Sequence, residues 1–408
     1  MNLFKTCILS LLLASLAWAH DRLSILEQFS RGNFEIPALD PSQKRIILQF
    51  GDPGFDGGDV LENYATYNLE RDALIVNITN LYKPQQKAAL LACVAERTGH
   101  PDVHFCPACG CYTDEGDNFD KLYPTWPKEA FGDPTYKNPP LSEANPENYK
   151  GVYNEQLEGY KAVFGEDKIC PDKYSEQDVI IYLKKLVKPF GENYVFEIFL
   201  SGPTTDLAKV LADDELSSHI RVIRGLMGGG FNSFHPQKQT RLGYNFVLDI
   251  NSTNIMLRQI EALQIPTVVV SSQTCSTIPI QKEDFLAFMN SPKKTLLGQA
   301  FAIGWEKWNQ HMSLKKKTAV IDFNIPDLVT VMLSYYSQHV GEVIRGTYKL
   351  HLYALEKGIH MLSPNAKELF EVVHDEKSPL FFVESINKSA EFYEILMNAT
   401  LRQFVEKD

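Results

Sequence analysis

Continuous apolar runs alternate with amphipathic stretches from residue 44 to residue 270. Short apolar segments bounded by turn residues predict buried strands, and apolar positions repeating every three to four residues predict helices. The predicted strands are 45–50, 73–78, 101–105, 194–200, 220–223 and 266–270. The predicted helices are 60–68, 85–97, 175–187 and 252–262, and we expect the remaining chain to residue 405 to be mainly helical.

This alternation predicts the fold class and the domain organisation. Strands that alternate with helices form a mostly parallel sheet flanked by helices on both faces. We therefore expect an α/β fold in a single domain over residues 44–408, after an N-terminal extension over residues 20–43. Residues from about 110 to 172 are rich in Pro, Gly, Asn, Tyr and acidic residues, and this composition predicts a large irregular insertion.

The beginning of the sequence has the pattern of an export signal. Lys5 precedes an apolar run over residues 8–16, and Ala17-Trp18-Ala19 is a small-x-small cleavage site. This pattern predicts a secretory signal peptide over residues 1–19 that is removed before His20. The run is too short to span a bilayer, so we expect a secreted or periplasmic protein that does not enter a membrane.

The net charge of the chain indicates which classes of binding partner we expect. Its formal net charge is −11, whereas nucleic acids and anionic membranes attract a basic face. We therefore expect a small-molecule substrate rather than a nucleic acid or a membrane. A homo-oligomer is compatible with the sequence.

Cysteines cluster at Cys106, Cys109 and Cys111, and Cys170 follows further along the chain. In an exported protein, disulfides among these cysteines are the favoured interpretation. A zinc site completed by Cys170 or His104 is the alternative, although the second ligand pair lacks the usual zinc-module spacing. A C-x-x-C redox motif is a third hypothesis, but no thioredoxin-like βαβ pattern surrounds it.

The first predicted strand ends in an acidic turn that contains Asp52 and Asp56. In open α/β sheets, ligands bind at the carboxyl ends of the strands. Carboxylate oxygens are suitable ligands for Ca²⁺. An ordinary connecting turn is the simpler alternative, because Asp, Pro and Gly are the usual turn residues.

An ordered set of motifs begins at this turn. Residues 50–57 are similar to D-x-D-P-G-x-D-D, residues 202–208 to G-P-L-T-N-L-A, and residues 227–229 to M-G-G. Asn80 ends the second strand, residues 243–245 are similar to E-F-N, and residues 326–331 are similar to H-D-P-L-A-V. In this order the motifs resemble those of the inosine/uridine-preferring nucleoside hydrolase family.

The resemblance implies hydrolysis of the N-glycosidic bond of a ribonucleoside or related ribosyl compound, with a Ca²⁺-bound water. It implies that Asp52 is both a metal ligand and the general base. Asp56, Asp327 and the backbone carbonyl of Thr205 would complete the metal site.

The resemblance also implies a substrate site. Asp56 would bind ribose hydroxyl groups, and Asn80 and Asn245 would hydrogen-bond to the ribose. Met227 would line the sugar pocket.

Several positions depart from the family pattern. Gly57 stands where the family has a metal-binding Asp, and Pro326 stands where it has a His. A further His that active family members have elsewhere finds no counterpart in this sequence, which weakens protonation of the leaving base. Asp59 lies two residues after Gly57, but we expect a helix that begins here to turn it elsewhere. Phe50 and Gly243 also replace acidic residues. These departures motivate an alternative hypothesis, a catalytically inactive relative that binds a ribosyl ligand or a protein partner.

Overall fold

A computed structural model describes residues 20–53, 57–80, 84–108, 155–227, 245–246, 250–316, 325–350 and 370–406. Within these residues, nine strands form one sheet in the order β3-β2-β1-β4-β5-β6-β9-β7-β8. The strands are β1 (Lys44–Gly51), β2 (Leu74–Thr79), β3 (His104–Pro107), β4 (Tyr194–Leu200), β5 (Ile220–Leu226), β6 (Thr267–Val270), β7 (Val343–Leu350), β8 (Phe370–His374) and β9 (Leu380–Val383).

The sheet is mostly parallel, as the alternation of strands and helices predicts. β1, β2, β3, β4, β5, β6 and β9 pair in parallel, and β7 runs antiparallel to both β8 and β9. β1 lies between β2 and β4, and it is apolar on both faces because helices cover both. Asp52, which directly follows β1, therefore lies in the interior of the strand order.

Helices cover the sheet in two layers. The helices are α1 (residues 20–30), α2 (Gly58–Leu69), α3 (Pro84–Arg97), α4 (Glu155–Phe164), α5 (Val179–Val187), α6 (Thr205–Ala212), α7 (Asp214–Ser218), α8 (Ile250–Ala262), α9 (Ser272–Cys275), α10 (Lys282–Asn290), α11 (Leu296–Lys316), α12 (Pro326–Tyr335) and α13 (Ser389–Ala399). Apolar side chains of α2, α3, α11 and α12 belong to the core on one face, and those of α5, α6 and α8 to the core on the other. Among the helices within these described ranges, none has the length and apolar character that crossing a bilayer requires.

The N-terminal extension begins with a helix that is tied to the sheet by two charged residues. Arg22 is buried and donates to the backbone carbonyls of Ser217, Ser218, Ile220 and Leu263. Asp21 accepts two hydrogen bonds from the Arg221 guanidinium, the shorter at 2.7 Å. α1 is therefore fixed by hydrogen bonds in addition to its apolar contacts.

A buried ion cluster lies between the strands and α2. Glu197 of β4 contacts Arg45 at 2.8 Å, Arg221 at 3.5 Å and Arg224 at 3.7 Å. Glu70, which follows α2, also pairs with Arg45. The arginines hold the pKa of Glu197 below its ordinary value although burial acts in the opposite direction.

The structure corrects three of the predicted elements. The described region after residue 270 is mainly helical, as expected, but it also contains the unexpected strands β7, β8 and β9. Part of the predicted irregular insertion is the helix α4, whose helical pattern is interrupted by Gly159. The helix predicted over 175–187 begins at Val179, because the Asp178 side chain caps it by accepting from the backbone N–H groups of Ile180 and Ile181.

The cysteine cluster lies only partly within the described residues. Cys106 lies in β3, one residue before its end, and Cys170 precedes a short 3₁₀ turn and has a free thiol. Cys109 and Cys111 lie outside the described residues. The predicted disulfides therefore have no support from the part of the chain that the structure describes.

Candidate functional site

The carboxyl ends of the central strands bring several of the expected residues to one edge of the sheet. Asp52 directly follows β1, Asn80 follows β2, and Met227 follows β5. Thr205 is the first residue of α6, and Asp327 lies in the first turn of α12. Asp56 lies outside the described residues.

Three buried carboxylates converge at this edge, namely those of Asp59, Glu62 and Asp327. One oxygen from each lies within 4.8 Å of the others. Asp327 is the distal metal ligand that the resemblance implies, whereas Asp59 and Glu62 come from α2. We call this group the acidic triad.

The start of α2 explains why Asp59 belongs to the triad. The helix begins at Gly58, so Asp59 stands in its first turn and Glu62 follows at i+3 on the same face. Asp59 Oδ1 lies against the backbone of Gly51, where a Cβ would be 3.3 Å away. The expectation that a helix beginning here would turn Asp59 elsewhere is therefore wrong, because this face of α2 packs against α12.

Burial makes it energetically costly for the three carboxyl groups of the triad to be ionised together. Asp59, Glu62 and Asp327 are 5%, 1% and 6% exposed. At an effective dielectric constant of 20, two ionised carboxylates at this separation repel each other by about 3.5 kcal/mol. Burial and the nearby Asp52 carboxylate raise the pKa of Glu62 to about 8, although hydrogen bonds with Ser201 and Gln49 act in the opposite direction.

The triad fits a hard metal cation. All its donors are carboxylate oxygens, the ligand type that Ca²⁺ and Mg²⁺ prefer. Glu62 Oε2 has no hydrogen-bond partner among the described residues, so an acceptor inside the triad is left without a donor. The acidic triad could therefore hold a metal ion.

Asp52 lies next to this group and beside a buried lysine. Loss of hydration raises the pKa of Asp52, while the Lys87 ammonium opposes that rise. Lys87 is 3% exposed and comes from α3, the helix that follows β2. The edge therefore combines a carboxylate of raised basicity with one buried positive charge.

Two asparagines and a serine hold the loops of this edge together. The Asn80 side chain is fully buried, and its Nδ2 donates to the Pro203 carbonyl at 3.2 Å. Asn80 Oδ1 has no hydrogen-bond partner among the described residues. Asn245 donates through Nδ2 to the backbone carbonyl of Ser201. The Asn80 oxygen is thus a buried acceptor to which a ligand hydroxyl could donate. The Asn245 amide already donates to the backbone of the β4–α6 turn.

Met227 packs into the core at the end of β5. It is fully buried, and its side chain folds back over Gly225, where a Cβ would lie 2.7 Å from Met227 Cε. Thr205 is buried at the start of α6. Ligand contact by Asp52, Thr205, Asn80, Met227 and Asn245 stays a prediction.

Residue patterns alone missed Glu62, Ser201 and Lys87. Glu62 and Lys87 have ordinary helical positions in the sequence, and only packing makes them buried. The i, i+3 spacing of Asp59 and Glu62 directly after the acidic turn is the signal that could have indicated a shared face.

Comparison with known proteins connects this site to a fold. The sequence matches no model of a known protein family. It also matches no curated protein. Solved structures do match it.

One of these structures is the type III effector protein XopQ complexed with adenosine diphosphate ribose. It is 13% identical, with a TM-score of 0.57, and the match covers 94% of this chain and 99% of that one. An inosine-guanosine nucleoside hydrolase is 12% identical with a TM-score of 0.55, covering 89% and 99% of the two chains. A purine-preferring ribonucleoside hydrolase from Gardnerella vaginalis is 13% identical with a TM-score of 0.54, covering 88% and 98%.

These matches define the class of fold. The chain has a nucleoside hydrolase-like α/β fold, with its acidic triad and Asp52 at the carboxyl edge of the sheet. At such low identity the likeness concerns the fold alone. The fold expected from the ordered motifs is therefore confirmed.

Proposed function

We propose that this protein binds a ribosyl compound at the carboxyl edge of its sheet and hydrolyses the N-glycosidic bond. The observation that carries the proposal is the position of Asp52 beside the buried acidic triad, at the edge where α/β sheets bind ligands. The structures of similar fold include nucleoside hydrolases and an effector bound to adenosine diphosphate ribose.

In the proposed reaction, a water oxygen bonds to C1′ of the ribose as the C1′–N bond breaks. The electron pair of that bond leaves with the base, and the proton that the water loses passes to Asp52. The raised pKa of Asp52 suits this role because a stronger base accepts the proton more readily near neutral pH. A divalent cation, for which we propose Ca²⁺, would make the water more acidic when bound.

Other residues of the edge would position the sugar. Asn80 Oδ1 offers an acceptor to a ribose hydroxyl group, and its Nδ2 is fixed by the Pro203 carbonyl. The sequence offers no counterpart of the His that would protonate the leaving base in active family members. We therefore expect better turnover of substrates whose base leaves without a proton from the protein.

The test is base release from a panel of nucleosides and adenosine diphosphate ribose, followed by chromatography. We expect Asp52→Asn to lower kcat by about 100-fold or more, the usual contribution of a general base. Asp72→Asn is the matched control, because Asp72 is exposed in the turn before β2. Failure of the purified protein to release base from any member of the panel, with and without Ca²⁺, would refute hydrolysis.

A second candidate function is binding without turnover. Gly57 and Pro326 motivate it, because both replace residues that active family members are expected to have. In this case adenosine diphosphate ribose or a nucleoside would raise the melting temperature without base release. Turnover that is lost in Asp327→Asn would exclude this alternative.

We also propose export and oxidation of the cysteine cluster, with Ca²⁺ supplied outside the cytosol. The signal-peptide pattern over residues 1–19 and the spacing of Cys106, Cys109 and Cys111 support this proposal. Intact mass and N-terminal sequencing of the exported protein should give His20 as the first residue. Thiol alkylation before and after reduction should reveal one or more disulfides, and an unchanged alkylation pattern would contradict their formation.

A further inference from the structure

Position 57 faces away from the acidic triad and into an aromatic layer. A Cβ built on Gly57 would lie 2.6 Å from Phe301 Cε2 and 2.7 Å from Trp305 Cε3. Both aromatic side chains are almost completely buried, and their ring centroids are 5.8 Å apart. A carboxylate at position 57 would therefore enter an apolar core, and it could not serve as a ligand without displacing these rings.

The carboxylates that do converge come from the next turn of α2. Asp59 and Glu62 lie on the face that meets Asp327, with one oxygen of each residue within 4.8 Å of the others. Glu62 Oε2 is buried without a hydrogen-bond partner among the described residues, which is costly unless a ligand occupies the space. A metal cation is the ligand that an oxygen-only, negatively charged group would accept.

Neighbouring polar groups hold Glu62 in this orientation. Ser201 and Gln49 lie beside the Glu62 carboxylate, and both lower its pKa against the effect of burial. Ser201 is itself anchored to the Phe50 carbonyl, and Gln49 Nε2 donates to Thr66 Oγ1 at 3.0 Å. Such outer partners orient the ligands in metal sites.

We infer that this chain binds a divalent cation through Asp59, Glu62 and Asp327, a site displaced along α2 from the family position at Gly57. The inference deepens the proposed function and rests on it for the expectation of a cation at this edge. Asp59 and Glu62 thereby supply the charge that Gly57 lacks, and Asp52 remains beside the cation rather than being its principal ligand.

Calcium titration by calorimetry, together with thermal unfolding, tests the inference without requiring a substrate. We expect Glu62→Gln and Asp59→Asn each to weaken the Kd for Ca²⁺ at least tenfold, because affinity depends on the number of ligand charges. Both variants should be at least as stable as the wild type without Ca²⁺, since each replaces a buried ionisable carboxyl group of the triad by a neutral amide. Asp72→Asn should retain wild-type affinity and stability.

Gly57→Asp distinguishes the displaced site from the family arrangement. We expect this variant to lower the melting temperature without tightening Ca²⁺ binding, because the new side chain meets Phe301 and Trp305. Tighter binding in Gly57→Asp, or unchanged affinity in both Glu62→Gln and Asp59→Asn, would overturn the inference.

The two proposals can fail separately. Absence of Ca²⁺, Mg²⁺ or Mn²⁺ binding at millimolar concentration in a protein that still releases base overturns the inference and leaves hydrolysis standing. Triad-dependent Ca²⁺ binding in a protein that releases no base supports the inference and refutes hydrolysis.

Discussion

The crossing of α4 and α11 depends on a close contact between two glycines, Gly159 and Gly304. A Cβ on Gly159 would lie 2.3 Å from the Ala300 carbonyl oxygen and 2.6 Å from the Gly304 nitrogen. Both atoms belong to the backbone, so no side-chain rotation relieves the contact. Because ordinary van der Waals contact begins at 3.4 Å, Gly159→Ala requires the helices to separate by about 1 Å.

The expected free-energy change is the difference between two opposing effects. Overpacking of this kind costs about 1–3 kcal/mol. Replacing a helical Gly by Ala recovers about 1 kcal/mol through helix propensity. We therefore expect Gly159→Ala to lower the free energy of unfolding by up to about 2 kcal/mol.

Urea denaturation of the wild type, Gly159→Ala and Ala162→Gly measures this difference. Ala162 is exposed on α4, so Ala162→Gly reports the propensity effect alone, with an expected loss of about 1 kcal/mol. If Gly159→Ala is instead stabilised by the amount that Ala162→Gly loses, the helices do not cross at this distance and the reasoning is refuted.

Three further predictions concern buried charge. Glu197→Gln should destabilise the protein by about 3–5 kcal/mol in urea denaturation, because it removes the carboxylate that Arg224 contacts and one of the two carboxylates that Arg45 and Arg221 each contact; an effect below 1 kcal/mol would contradict this. Arg22→Ala should cost about 2–3 kcal/mol, because it removes charged hydrogen bonds to four carbonyls, and unchanged stability would show that α1 does not depend on this anchor. Burial and Glu342 raise the pKa of Glu384 to about 7. The folded state therefore retains a proton that the unfolded state loses, so stability should fall as pH rises from about 4.5 to 7, and Glu384→Gln should flatten this part of the profile. An identical pH profile in that variant would exclude Glu384 as the cause.

The sequence predicts the central strands well, because their apolar runs are continuous. β1, β2 and β4 are flanked by turn residues and buried on both faces, so hydrophobicity alone identifies them. β7 and β9 were missed for different reasons. β7 carries Arg, Gly and Lys within its span, and β9 is a four-residue apolar run with a single β-branched residue, whereas the equally short β6 is β-branched throughout.

The candidate site was only partly predictable from the sequence, because part of it depends on contacts between distant segments. Asp327 follows from the ordered motifs, and the structure brings it to the acidic triad. Glu62 could not be assigned from its residue type, since a glutamate within a helix is usually exposed to solvent. Its role depends on the packing of α2 against α12, a contact between segments far apart in the chain.

The aromatic layer beneath Gly57 has an evolutionary consequence. A single substitution cannot introduce a metal-binding carboxylate at this position, because Phe301 and Trp305 occupy the space. Smaller residues would have to replace both rings first, and those intermediates would carry a cavity in the core that costs several kcal/mol. The present packing thus leaves sequence change within α2 open, while it opposes the introduction of an aspartate at position 57.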